Sequence, residues 1–206
     1  MNRTALVSCL AILPAAVVAT RIQEKEKKPP TMEMTPEMME GMKRWQEMCT
    51  PGENHAKLAA FLGKWDTKTT IGGMGGPPMV TQGTSEAKWL AEGRWLQSEW
   101  SGEMMGMKGR GWVTLGYDNF KKKYMVSFVD TFSTMLNMAE GAWDQTGRVL
   151  TAHGFIDEPI TNEQDKPVKY VWRLLSPDRQ VFEVHDLAIG ETNTKVIEVE
   201  STRRKG

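Results

Sequence analysis

Lys195-Val196-Ile197-Glu198-Val199-Glu200-Ser201-Thr202-Arg203 reads as a β-strand with two unlike faces. Successive side chains in a strand point to opposite sides. Ile197, Val199, Ser201 and Arg203 therefore share one side, and Glu198, Glu200 and Thr202 the other. The acidic side belongs in solvent, so the first set faces a core and Arg203 projects inward at the strand's end. Working back from this strand, alternation of the same kind continues to Gly63. It predicts about ten strands, near 64–71, 79–89, 94–103, 109–117, 123–130, 134–144, 148–156, 167–175, 180–188 and 195–203. Turn chemistry separates them, as in Ala91-Glu92-Gly93, Asp118-Asn119, Gln145-Thr146-Gly147 and Ser176-Pro177-Asp178. Spacers this short force antiparallel neighbours, because a parallel crossover needs a dozen or more residues. The expected fold class is all-β: an antiparallel meander closed into a barrel, which removes both exposed edges. An open sandwich is the alternative.

Before Gly63 the period is helical. Thr35-Pro36-Glu37 has the form of a helix start, with Thr as N-cap and Pro in the first turn. Met38, Met42 and Trp45 follow at helical spacing, and this helix is expected to pack on the barrel mouth. Pro51-Gly52 breaks the chain, and a second short helix is expected from Glu53 to Leu62.

The first residues read as an export signal over 1–19: Arg3, an uncharged apolar run from Thr4 to Ala19, then small residues ending at Ala19. The run falls short of the ~20 residues of a membrane span, and Pro14 lies inside it. An uncleaved anchor is the alternative. Residues 20–34 are charged and proline-bearing and read as a flexible linker, leaving 35–206 as the helices plus one barrel domain. The expected location is periplasmic or secreted, with no membrane contact after cleavage. Cys9 leaves with the signal, so Cys49 has no partner for an internal disulfide.

Basic and acidic residues balance at 26 each, so no net field favours nucleic acid or an acidic membrane. No Gly-x-Ser-x-Gly elbow, His-Glu-x-x-His or phosphate loop is present. The Gly-rich stretch 72–78 lacks the Lys-Ser/Thr ending of a phosphate loop and reads as a turn.

Several short motifs together resemble the bacterial family called domain of unknown function 1579. They are Pro51-Gly52-Glu53-Asn54-His55, Leu62-Gly63-Lys64-Trp65, Gly76-Pro77-Pro78-Met79, Gly93-Arg94-Trp95-Leu96-Gln97-Ser98, Met104-Met105-Gly106-Met107, Gly116-Tyr117-Asp118-Asn119 and Thr202-Arg203-Arg204. The resemblance spans about residues 35 to 205. It implies a calycin-type barrel, the group that includes lipocalins, and no established activity. In that arrangement a Gly-x-Trp enters the first strand and its Trp plugs one end under an Arg of the last strand. Trp65 and Arg203 fit those structural roles by cation–π contact.

Candidate site residues come from the strands. Gln97, Glu99 and Ser101 share one face, with Ser98 and Trp100 on the other. Arg110 sits between Gly109 and Gly111, where close approach is possible. Asp130 ends an apolar strand. Pointing inward, Glu99, Arg110 and Asp130, with Gln97, would form a charge-paired patch in an apolar cavity, the usual plan of a small-ligand site. Pointing outward, they would be solvated surface charges. The leading functional expectation is a non-enzymatic barrel that holds a small, largely apolar ligand. One alternative is a hydrolase or isomerase using an inward acidic cluster such as Glu99 and Asp130. Another is haem through His153 or His185, or copper(I) on the methionines at 32–48 and 104–107. No cofactor is assigned, no two of the three histidines have metal-ligand spacing, and the oligomeric state stays open.

Overall fold

A computed structural model of the chain describes residues 34–72, 76–104, 106–187 and 195–205. The signal expected over 1–19, and the linker up to residue 33, lie outside the described residues. Ten antiparallel strands form a closed barrel in sequence order, with β1 (Gly63–Ile71) sealed against β10 (Lys195–Arg203). Between them run β2 (Met79–Ala91), β3 (Trp95–Met104), β4 (Met107–Asp118), β5 (Lys123–Asp130) and β6 (Asn137–Trp143). Then come β7 (Val149–Glu158), β8 (Glu163–Ser176) and β9 (Arg179–Asp186). The meander and its closure are as the alternation and turn residues require. The strand expected from 134 starts at Asn137, because Asp130 caps a loop there.

Among the described residues, two helices precede the barrel. In α1 (Pro36–Cys49) the Thr35 hydroxyl accepts from the Met38 N–H. α2 (Glu53–Ala56) passes into a 3₁₀ turn over Lys57–Phe61, so the single helix expected from Glu53 to Leu62 is corrected to two windings. The tighter turn eclipses side chains three apart. It brings Leu58 and Phe61, both buried, onto the barrel end as a plug. His55 is buried beside them, and the Tyr124 hydroxyl donates to the Asn54 carbonyl at 2.8 Å.

The expectation that α1 covers the barrel is also corrected. None of its residues is buried, and Trp45 is 68% exposed. Among the described residues, its C-terminal end is what the barrel holds. The Asn119 amide donates to the Met48 and Thr50 carbonyls at 3.0 and 2.8 Å, and Arg94 donates to the Cys49 carbonyl. These contacts satisfy carbonyls that a helix end leaves orphaned. The barrel end nearest to it is already filled by Leu58 and Phe61.

Candidate functional site

Inside the barrel the strands divide the work. On the β5–β9 side, aromatic rings pack at tilted angles: Phe128 with Tyr170 at 4.5 Å and Trp172 with Phe182 at 4.8 Å between centroids. With Val126, Leu150 and Ala152 they fill that half of the interior. Burial pushes the Tyr170 hydroxyl up to about 12. It therefore stays protonated across the whole physiological range.

The other half is open. A cavity of about 250 Å³ lies between this aromatic wall and the strands β10, β1, β2 and β3. Phe61 of the plug forms its floor, and Met104 and Phe132 stand at its mouth. This is roomier than the ~150 Å³ apolar cavity that accepts benzene. The strand side of the cavity is polar but uncharged: Thr67, Thr69, Ser85, Ser98 and Ser201, with Gln180 of β9 beside them. The Trp100 indole N–H donates to the Thr67 hydroxyl at 3.3 Å. That reach depends on Gly83. A Cβ there would lie 2.9 Å from the indole nitrogen and 2.8 Å from the Ser101 carbonyl oxygen.

Asp130 is the one expected site residue that lines this cavity. Its carboxylate accepts from the Phe132 and Ser133 N–H groups at 2.8 and 2.9 Å. It thereby folds the β5–β6 loop so that the Phe132 ring lies against Gly109, at a spot where a Cβ would collide with it. The close approach expected around Arg110 is thus made by a ring at the mouth. The inward patch of Glu99, Arg110 and Asp130 is corrected. Leu96, Ser98 and Trp100 take the inner face of β3, which turns Gln97, Glu99 and Ser101 outward into a surface groove with Lys88 and Arg204. Arg110, paired across the ladder with Ser101, is outside too. Its Nε donates to Glu99 at 2.7 Å and its guanidinium lies 5.1 Å from the Trp112 ring centroid. The hydrogen bond from Arg110 holds the Glu99 carboxyl below its usual range. Glu99 and Asp130 sit on opposite sides of the wall and cannot share a proton within one site.

The three histidines are all away from the lumen. His55 is in the plug, its Nδ1 accepting from the Gly52 N–H at 3.0 Å. His153 is exposed on β7, and His185 meets Glu183 at 3.4 Å on the outer face of β9. Among the described residues no group of three His, Cys, Asp or Glu could hold a metal ion. Reading the sequence missed the hydroxyl wall. Its signal was present in Thr67 and Thr69, which alternate with Asp66 and Lys68 on β1.

A second feature lies at the open end. Lys166 and Asp186, 9% and 6% exposed, pair at 2.6 Å, and Asp186 holds the ammonium in its charged form above the usual lysine range.

The family model described as protein of unknown function (DUF1579) matches residues 50–203. No curated protein matches the chain. Among solved structures, Rv2717c from M. tuberculosis is similar at 12% identity and a TM-score of 0.57, covering 76% of this chain and 100% of that one. The S-type phycobiliprotein lyase CPES from Guillardia theta is similar at 12% identity and a TM-score of 0.50, covering 76% and 99%. At these identities the likeness is one of fold.

Proposed function

The chain belongs to the family of proteins of unknown function DUF1579, and from that premise we propose that it is an exported, non-enzymatic carrier that holds a small, largely apolar molecule inside its barrel. The observation that carries this reading is the cavity itself: about 250 Å³, walled by Leu96, Leu115, Phe128, Trp172 and Phe182, with a few hydroxyls on one side. Apolar pockets with a small number of placed polar groups are the common form of small-molecule sites. A fold neighbour is a phycobiliprotein lyase, which is compatible with ligand binding in a barrel of this kind. The inward acidic pair that an enzymatic reading needs is not assembled around this cavity. The export part of the proposal rests on the sequence of the first 19 residues.

The test is to purify the mature protein from its native source, extract it with organic solvent, and examine the extract by mass spectrometry and absorbance. A stoichiometric small molecule is expected. N-terminal sequencing of the same material should begin near Thr20; a retained Met1 overturns the export reading.

A further inference from the structure

The cavity has a chemical bias beyond being apolar. Ser201 is directly opposite Gln180 on one side and Thr67 on the other in the strand registers. Facing residues in antiparallel pairs place their Cβ atoms about 4.5–5.5 Å apart. The three polar side chains therefore form a continuous row across β9, β10 and β1, on the cavity wall. Within this row the Gln180 Oε1 is buried and has no hydrogen-bond partner among the described residues. A buried acceptor without a donor is destabilising, and a group that supplies the donor is bound in proportion.

Charge on the wall points the same way. No Lys, Arg or His lines the cavity among the described residues; its one ionisable lining group is the Asp130 carboxylate at the mouth. Two basic groups at the barrel ends are engaged. Arg203 donates to the Leu62, Ala60 and Pro177 carbonyls, and Lys166 is paired with Asp186. An anionic ligand would give up water without meeting a cation and would pass a like charge on entry.

Resting on the ligand-binding reading above, we infer that the lumen selects an uncharged ligand bearing an O–H or N–H donor, and that this donor meets Gln180 beside Ser201 and Thr67. The hydroxyls of Ser201 and Thr67 accept or donate as the ligand requires, and the aromatic wall of Phe128, Trp172 and Phe182 takes its apolar body. A fatty alcohol or an amide suits this arrangement; a fatty acid anion does not.

The test uses the mature chain and three probes of similar size: octan-1-ol, its isomer 1-methoxyheptane, and octanoate near neutral pH, each titrated by calorimetry. The alcohol should bind about tenfold tighter than both the ether, which accepts but cannot donate, and the anion. Gln180→Leu should bring alcohol and ether to within about twofold while both still bind, and Ser201→Ala should narrow the gap in part. Equal binding of alcohol and ether, or octanoate binding as well as the alcohol, overturns the inference and leaves the carrier reading standing. If none of the three binds the wild-type chain, the carrier reading falls and the inference falls with it. The wild-type comparison stands even if a variant fails to fold.

Discussion

The guanidinium of Arg203 lies 4.1 Å from the centre of the Trp65 ring, and the two residues face each other across the β1–β10 ladder. Between them they take up three consecutive carbonyls of the plug. The Trp65 indole donates to Phe61 at 3.0 Å, and Arg203 donates to Leu62 at 2.6 Å and Ala60 at 3.3 Å. The pair is a latch between the closing strands and the segment that stoppers them.

Trp65→Ala should destabilise the barrel by about 3–5 kcal/mol, since Trp65 is 1% exposed. Arg203→Lys should cost about 1–3 kcal/mol, because an ammonium cannot reproduce a fork that serves several carbonyls. Urea unfolding measures both. A neutral Trp65→Ala would mean that the plug holds by other contacts.

Gly83→Ala should displace the Trp100 indole from Thr67, given the distances a Cβ would meet, and cost about 1–3 kcal/mol. Near-UV circular dichroism should change with it. An unchanged spectrum would show that β2 shifts instead of the indole.

His55 should make stability fall on acidification. Burial, first, lowers its pKa; Arg94 adds to this, against a hydrogen bond to the Tyr117 carbonyl that favours the proton. In the unfolded chain a histidine titrates near 6.5. Below about pH 6.5 the unfolded chain therefore binds a proton that the folded chain resists, and stability drops until the lower folded value is passed. Above about pH 6.5 His55 contributes no slope. His55→Gln should flatten this part of the stability–pH curve, measured by urea midpoints at several pH values; an unaltered slope would refute the assignment.

Lys166→Met alone, or Asp186→Leu alone, should break a nearly covered ion pair and cost about 1.5–3 kcal/mol. The double variant should recover much of that loss, as expected when a covered ion pair is replaced by apolar groups. Simple additivity in this double-mutant cycle would mean that the two charges do not depend on each other.

The fold was legible because two signals agreed along most of the chain: alternation within strands and turn residues between them. On β10 the charges at Glu198 and Glu200 also settled the faces, and Ile197, Val199 and Ser201 line the cavity as that reading requires. β3 gave less help. An aromatic ring stands on both faces, Trp95 outside with Gln97, Glu99 and Ser101, and Trp100 inside with Leu96 and Ser98. The lumen itself is lined with Ser and Thr, so polarity alone does not tell its two sides apart. Glu99 was therefore open to either placement. For α1, the spacing of Met38, Met42 and Trp45 showed an apolar face but carried no information about whether the barrel had room for it. The unpaired Gln180 is a matter of register between β9 and β10, which no local pattern encodes.

The seam between β1 and β10 also bears on how the chain is made. Seven residue pairs join them, from Trp65 with Arg203 to Ile71 with Ile197. β1 meets β2 as its neighbour in the chain, yet its other edge stays bare until β10, the tenth strand in order, is paired. Pairing across such a span is slow, and an open edge is a template for other chains. The wall closes only when β10 is in place, and loss of Lys195–Arg203 would leave a sheet with two sticky margins in place of a closed barrel.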